Sequence, residues 1–357
     1  MSTQPLAGST LEDEVIVRRA GRLGHLILNR PEALNALTHG MVDTVQAALQ
    51  QWRHDDSVHT VLVSGSGERG LCAGGDVVTL RRAVMGGEPE IVDSFSAAEY
   101  TLNAAIADYP KPYLAFMDGI VLGGGVGVSA HGSHRIVTER TRLGMPETGI
   151  GFTPDVGSNW LLSRTPYRFG THMALTGAHV SGADAIALGL ADFYVPSNAL
   201  PELTRTLEEA DADEAIEAIA IAPPDAPILE HHRWIDACYG EDTAEAIVEV
   251  LQTYDDPTAA LAATEILSKS PTSVKVALAA LRRSEDCRSV HEVLRQDYRV
   301  GYHMLRGCDM REGIRAQLVD KDRNPQWSPA TLEDVPMEAV MAYFEPIDAE
   351  DLDLSSH

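Results

Sequence analysis

Between Gly119 and Gly127, five of nine residues are glycine (Gly119-Ile-Val-Leu-Gly-Gly-Gly-Val-Gly127), and this run limits what the chain can become. The surrounding apolar stretch, 119–130, is far too short to span a bilayer. A single glycine there is explained by tight helix packing. Three in a row ahead of an apolar helix allow a close backbone approach and leave N–H groups bare at a helix start. Such a place suits a developing negative charge. A second glycine turn, Ala73-Gly74-Gly75-Asp76, is able to supply another N–H. Two backbone donors converging on one oxygen form an oxyanion hole, the device of acyl transfer.

Two further motifs compete for attention. Gly65-Ser-Gly67-Glu-Arg-Gly70 follows a strand and matches a dinucleotide-binding fingerprint by letter. That fingerprint needs its third glycine inside the first turn of a helix. Gly70 leads instead into Leu71-Cys-Ala-Gly-Gly75, which reads as more loop, so a nicotinamide-dependent oxidoreductase is the weakest reading. Glu147 and Asp155 lie in Met145-Pro-Glu-Thr-Gly-Ile-Gly-Phe-Thr-Pro-Asp155-Val-Gly157. Taken singly, Glu147 is a surface charge and Asp155 a helix cap.

The pattern around these motifs is one of strands and helices in alternation, with connections long enough for parallel crossovers. Strands are expected at 14–18 and 25–29, joined by a turn at 21–24, and at 59–64, 111–117 and 134–138. A helix capped by Thr38 carries Met41, Val45, Leu49 and Trp52 at helical spacing. Two helices are expected over about 77–107. The fold class is α/β: a flexible leader at 1–12, a core over 13–200, a helical extension over 201–345 and an acidic tail at 346–357. Turns are expected at 222–225, 256–257 and 270–271, and a short helix near 335–344.

A formal net charge of −25 argues against a nucleic-acid or anionic-membrane partner, which the chain would repel at long range. Four scattered cysteines, with no CxxC pair, fit a reducing cytoplasm and give no zinc or disulfide framework.

Taken together, Leu28-Asn-Arg-Pro-Glu-Ala-Leu-Asn-Ala-Leu37, Leu71 to Val77, Gly119 to Gly127 and Pro146-Glu147 resemble the enoyl-CoA hydratase/isomerase, or crotonase, superfamily. Within it, three stretches resemble the branch that hydrolyses 3-hydroxyisobutyryl-CoA: residues 123–132, residues 145–157, and the C-terminal set of 270–273, 292–299, 312–315 and 320–327. The resemblance implies a ββα spiral followed by helices. It implies an oxyanion hole at Gly75 and Gly124, a substrate-contacting Glu99 in Glu99-Tyr-Thr-Leu-Asn103, and two active-site acids, Glu147 and Asp155. Hydratases of this fold need a second glutamate three residues after the middle oxyanion glycine, where this chain has Gly127.

The expected activity is therefore hydrolysis of a short branched 3-hydroxyacyl-CoA in valine catabolism. Coenzyme A is part of the substrate, and no cofactor or metal is implied. Glu147 would attack the carbonyl or activate water. Asp155 would position water or bind the 3-hydroxyl. A hydratase or isomerase, and a noncatalytic acyl-CoA-binding member, are the alternatives. Relatives often form trimers or their multiples, which leaves room for a homo-oligomer, but the sequence itself does not fix the oligomeric state. Arg30, Lys321 and Arg323 are candidates for the CoA phosphates. Trp160, where the hydrolases tend to have glycine, is expected to reshape the pocket.

Overall fold

The computed structural model describes residues 13–348 and 351–354; the leader at 1–12 and residues 349–350 and 355–357 of the tail lie outside the described residues. Strands β1 (Val15–Ala20) and β2 (Leu23–Leu28) form the expected hairpin, but its turn is only Gly21-Arg22. Gly24 belongs to β2, where a Cβ would strike the Trp52 ring at 2.7 Å. Helix α1 (His39–Arg53) begins as its sequence indicates, with Thr38 Oγ1 accepting from the Met41 N–H at 3.2 Å. Met41, Val45, Leu49 and Trp52 form its buried face.

The chain then winds in turns that each place one strand in a large sheet and one in a small sheet. β3 (Thr60–Gly65) and β4 (Gly70–Cys72) are followed by α2 (Val77–Gly86) and α3 (Pro89–Ala107). β5 (Tyr113–Met117) and β6 (Ile120–Leu122) are followed by α4 (Gly124–Gly127). β7 (His134–Val137) and β8 (Arg142–Gly144) lead to α5 (Ser158–Leu162) and α6 (Phe169–Thr176). β9 (His179–Val180), α7 (Gly182–Ala187) and β10 (Phe193–Tyr194) close the spiral. The sheets run β1-β2-β3-β5-β7-β10 and β4-β6-β8-β9, parallel except for the β1–β2 and β8–β9 pairs.

This winding settles the fingerprint-like glycines. Gly65 ends β3 and Gly70 opens β4, so that turn joins strand to strand and no helix N-terminus follows. Of the segment after Gly70 expected as loop, Leu71-Cys72 is strand and the rest, up to Asp76, is loop as expected.

Nine helices follow among the described residues: α8 (Leu200–Leu207), α9 (Ala212–Ile219), α10 (His232–Cys238), α11 (Ala244–Thr253), α12 (Pro257–Ser268), α13 (Pro271–Glu285), α14 (Val290–Leu305), α15 (Asp309–Ile314) and α16 (Met337–Ala342). Asp256-Pro257 and Ser270-Pro271, expected as turns, are helix starts. Asp256 Oδ1 accepts from the Thr258 N–H and Ser270 Oγ from the Ser273 N–H, with proline in the first turn, where its missing N–H costs nothing. One apolar cluster runs from Val15 through α13 and α14 to Leu354, so the helices share the core of the spiral. α14 packs on α3, and that contact places part of the candidate site.

Candidate active site

A cavity of about 450 Å³ opens between the two glycine turns, α3 and the helical extension. The spiral contributes Gly74, Gly75, Gly123 and Gly124, together with Glu99, Glu147 and Asp155. The extension contributes Lys269, Leu305, Met310, Gln317 and Leu318.

Glycine is required here by approach as well as by conformation. Gly74 has φ +105° and Gly123 φ +50°. The Cβ position of Gly74 lies 3.7 Å from Gly124 N, so the two turns abut. A side chain at Gly123 would meet Glu147 Oε1 at 2.7 Å, and one at Gly124 would collide with Glu99 Oε1. Neither the Gly75 nor the Gly124 N–H has an acceptor among the described residues. Helix α4 is only four residues long, so individual N–H groups rather than a helix macrodipole supply the positive charge.

Glu147 opens a 3-10 turn, Glu147–Ile150, which the extension holds in place. The Ser270 N–H donates to Thr148 O at 3.2 Å, and a Cβ at Gly313 would strike the Ile150 carbonyl carbon. Asp155 accepts from Tyr100 Oη at 2.6 Å. It caps no helix: α5 begins at Ser158, and Gly157 stands at its cap position. After Asp155 the backbone turns left-handed twice, at Val156 (φ +51°) and Gly157 (φ +75°). Val156 O accepts from His131 Nε2 at 2.7 Å, which fixes the proton on that nitrogen. The Gly157 N–H donates to Asp297 Oδ2 at 2.9 Å.

Three carboxyls thus share one cavity. Burial pushes Asp155 up to about 6, opposed by the Tyr100 hydrogen bond. Burial and then the Asp155 charge push Glu99 and Glu147 well above the carboxylate range. Glu99 Oε1 and Glu147 Oε2 are buried without a hydrogen-bond partner among the described residues. The arrangement offers two backbone N–H groups on one cavity, beside carboxyls whose affinity for a proton is raised by burial.

A family model described as enoyl-CoA hydratase/isomerase matches residues 23–344. The chain belongs to the enoyl-CoA hydratase/isomerase family. The 3-hydroxyisobutyryl-CoA hydrolase, mitochondrial, of Rattus norvegicus is 38% identical over 350 residues, 95% of this chain and 90% of that one. A carnitinyl-CoA dehydratase from Mycobacterium thermoresistibile superposes with TM-score 0.94 at 48% identity, over 97% of this chain and 100% of that one. An enoyl-CoA hydratase from Rhodobacter sphaeroides 2.4.1 superposes with TM-score 0.88 at 37% identity, over 94% and 98%. The crotonase-like α/β fold expected from the motifs is the fold of these neighbours.

Within this family framework, the structure brings Gly75, Gly124, Glu99, Glu147 and Asp155 to one cavity. It does not bring the other candidates there. Trp160 faces away from that cavity, stacked under the Arg164 guanidinium 3.3 Å from its ring centroid. Arg30 does not line the cavity and is held by Glu14, Asp76 and Ala36 O beside the Gly75 turn. Lys321 and Arg323 stand on an exposed loop off the cavity wall, beside an Arg315 that grips Asp320 and Asp322. Lys269, which sequence reasoning missed, lines the cavity. Its only sequence signal was a lysine beside the Ser270-Pro-Thr-Ser273 motif.

Proposed function

We propose that this chain hydrolyses the thioester of a short branched 3-hydroxyacyl-CoA, with 3-hydroxyisobutyryl-CoA as substrate, releasing 3-hydroxyisobutyrate and CoA during valine breakdown. One observation carries this reading. Three acids, Glu99, Glu147 and Asp155, reach the cavity, while position 127 has no room for a fourth. A Cβ at Gly127 would lie 2.8 Å from Asn103 Nδ2 and 2.9 Å from Val156 Cβ. Hydration needs that second glutamate, whereas thioester cleavage needs one nucleophile or base and an oxyanion hole.

The Gly75 and Gly124 N–H groups hold the thioester oxygen as charge develops on it. Glu147, lying against Gly123, meets the carbonyl carbon. Direct attack forms a mixed anhydride and expels the CoA thiolate, which takes up a proton; water then opens the anhydride. The alternative route passes water's proton to Glu147 and reaches the same products. Asp155, held by Tyr100, orients that water or the 3-hydroxyl. Lys269, on the cavity wall and ion-paired with Glu265 at 3.1 Å, is the cation offered to a CoA phosphate in this acidic protein. The four unpaired thiols support a reducing, cytoplasmic setting.

The 48% identical neighbour is named a dehydratase, and that reaction is the competing reading. Incubation with 3-hydroxyisobutyryl-CoA and with crotonyl-CoA, following free thiol and enoyl absorbance, separates them. Thiol release should far exceed hydration. Comparable rates, or enoyl formation without thiol, would overturn the proposal.

A further inference from the structure

We infer that Asp297, on α14 of the helical extension, is a positioning residue that holds Asp155 on the cavity by fixing the backbone just after it. Asp297 is 1% exposed and does not line the cavity, so it touches no substrate. Its Oδ2 accepts the Gly157 N–H at 2.9 Å, and its Oδ1 lies 3.4 Å from Asn159 Nδ2. The same Asn159 nitrogen donates to Pro154 O at 2.8 Å, so Asp297 holds the loop directly after Asp155 and, through Asn159, just before it. Between these contacts Val156 stands at φ +51°, a conformation that a β-branched residue adopts only under constraint. His131 grips Val156 O from the opposite side.

The neighbour of Asp297 acts on the same acid. The Tyr298 ring packs edge-on against Tyr100, centroids 6.4 Å apart, and Tyr100 is the donor to Asp155. Adjacent residues of one helix therefore set both the backbone and the hydrogen-bond partner of Asp155. A buried carboxylate is an expensive way to cap a loop unless its acceptor oxygens are needed where they are.

The inference rests on reading Asp155 as a working group of the hydrolysis. The test measures thiol release from 3-hydroxyisobutyryl-CoA by wild type, D155N, D297A, D297N and D155N/D297A. D297A should lose about 30- to 100-fold in kcat, the scale of a small misplacement, with KM within about twofold. D297N keeps one acceptor for Gly157 but turns an NH2 toward Asn159, and should lose only about three- to tenfold. On the D155N background, D297A should cost less than about twofold more, because the device it supports is already disabled. Wild-type kcat in folded D297A overturns the inference, and so does an undiminished D297A loss on D155N, the mark of general damage. Should D297A fail to fold, wild-type kcat in D297N overturns it. Wild-type turnover in D155N would instead remove the premise about Asp155.

Discussion

Installing the missing hydratase acid should fail, and the structure says by how much. In Gly127→Ala, the first added atom meets Asn103 Nδ2 at 2.8 Å, Val156 Cβ at 2.9 Å and Asn103 Oδ1 at 3.0 Å. Asn103 is fully buried in α3, and Val156 is fixed in its left-handed bend, so neither yields freely. Overpacking of this kind costs about 1–3 kcal/mol. Gly127→Glu should cost more, because it adds a fourth acid beside Glu99, Glu147 and Asp155. Urea unfolding should show a lowered midpoint for the alanine variant and a lower one for the glutamate variant. Crotonyl-CoA hydration by Gly127→Glu should stay at background. Adding Asn103→Ala removes the amide in the way and should recover part of the lost stability. A Gly127→Glu protein as stable as wild type that hydrates crotonyl-CoA would refute the packing argument and the assignment of chemistry built on it.

Other outcomes follow from the same site. Glu147→Gln should slow thiol release by at least about a hundredfold while keeping CoA-ester binding by calorimetry, the scale of a positioned acid/base or nucleophile; near-normal turnover would make Glu147 a bystander. Gly124→Pro removes one oxyanion N–H and should cost about two to three orders of magnitude in turnover if circular dichroism shows the fold intact. Asp155 is raised from 3.8 to about 6 in the fold, so the stability it contributes is present below pH 3.8 and lost as pH rises through 6. Asp155→Asn should therefore lose turnover yet gain stability over wild type, by up to about 3 kcal/mol at pH 8 and almost nothing at pH 3.5; equal unfolding curves at pH 8 would contradict this. Lys269→Ala should raise KM for the CoA ester with little change in kcat, and unchanged KM would place the phosphates elsewhere.

The residues that announce themselves in the sequence are those whose constraint is local. Met41, Val45, Leu49 and Trp52 recur at the period of a helix, and Thr38 stands where its first N–H groups need an acceptor. The two glycine turns, and Glu147 and Asp155 on one short loop, are visible as patterns within a few residues. What escaped was long-range. Nothing beside Asn103 tells that its amide sits against Gly127, and nothing beside Asp297 tells that it accepts from Gly157. Trp160 shares a loop with Asp155, but one turn of α5 rotates it away to stack on Arg164. Arg30 looked free for a phosphate because its partner Asp76 is 46 positions along the chain. Pro257 and Pro271 read as turns because proline marks helix starts as well as chain reversals; only the side-chain caps beside them separate the two.

The exchange of one acid for another within this family is also steric. Asp155 reaches the cavity because the chain bends left-handed immediately after it, and that bend is what carries the Val156 side chain against Gly127. A side chain at 127 and a bend at 156–157 would claim the same space. The acid at 155 and the missing acid at 127 are therefore one structural choice, made by the backbone between Asp155 and Gly157 and reinforced by His131 on one side and α14 on the other. In the proposed reading, this chain keeps the two glycine turns and Glu147 but gives up the pair of glutamates that hydration of a double bond needs. In that reading, the chemistry left to such a pocket lies at the thioester carbonyl, served by Glu147, the two N–H groups and Asp155 on one cavity.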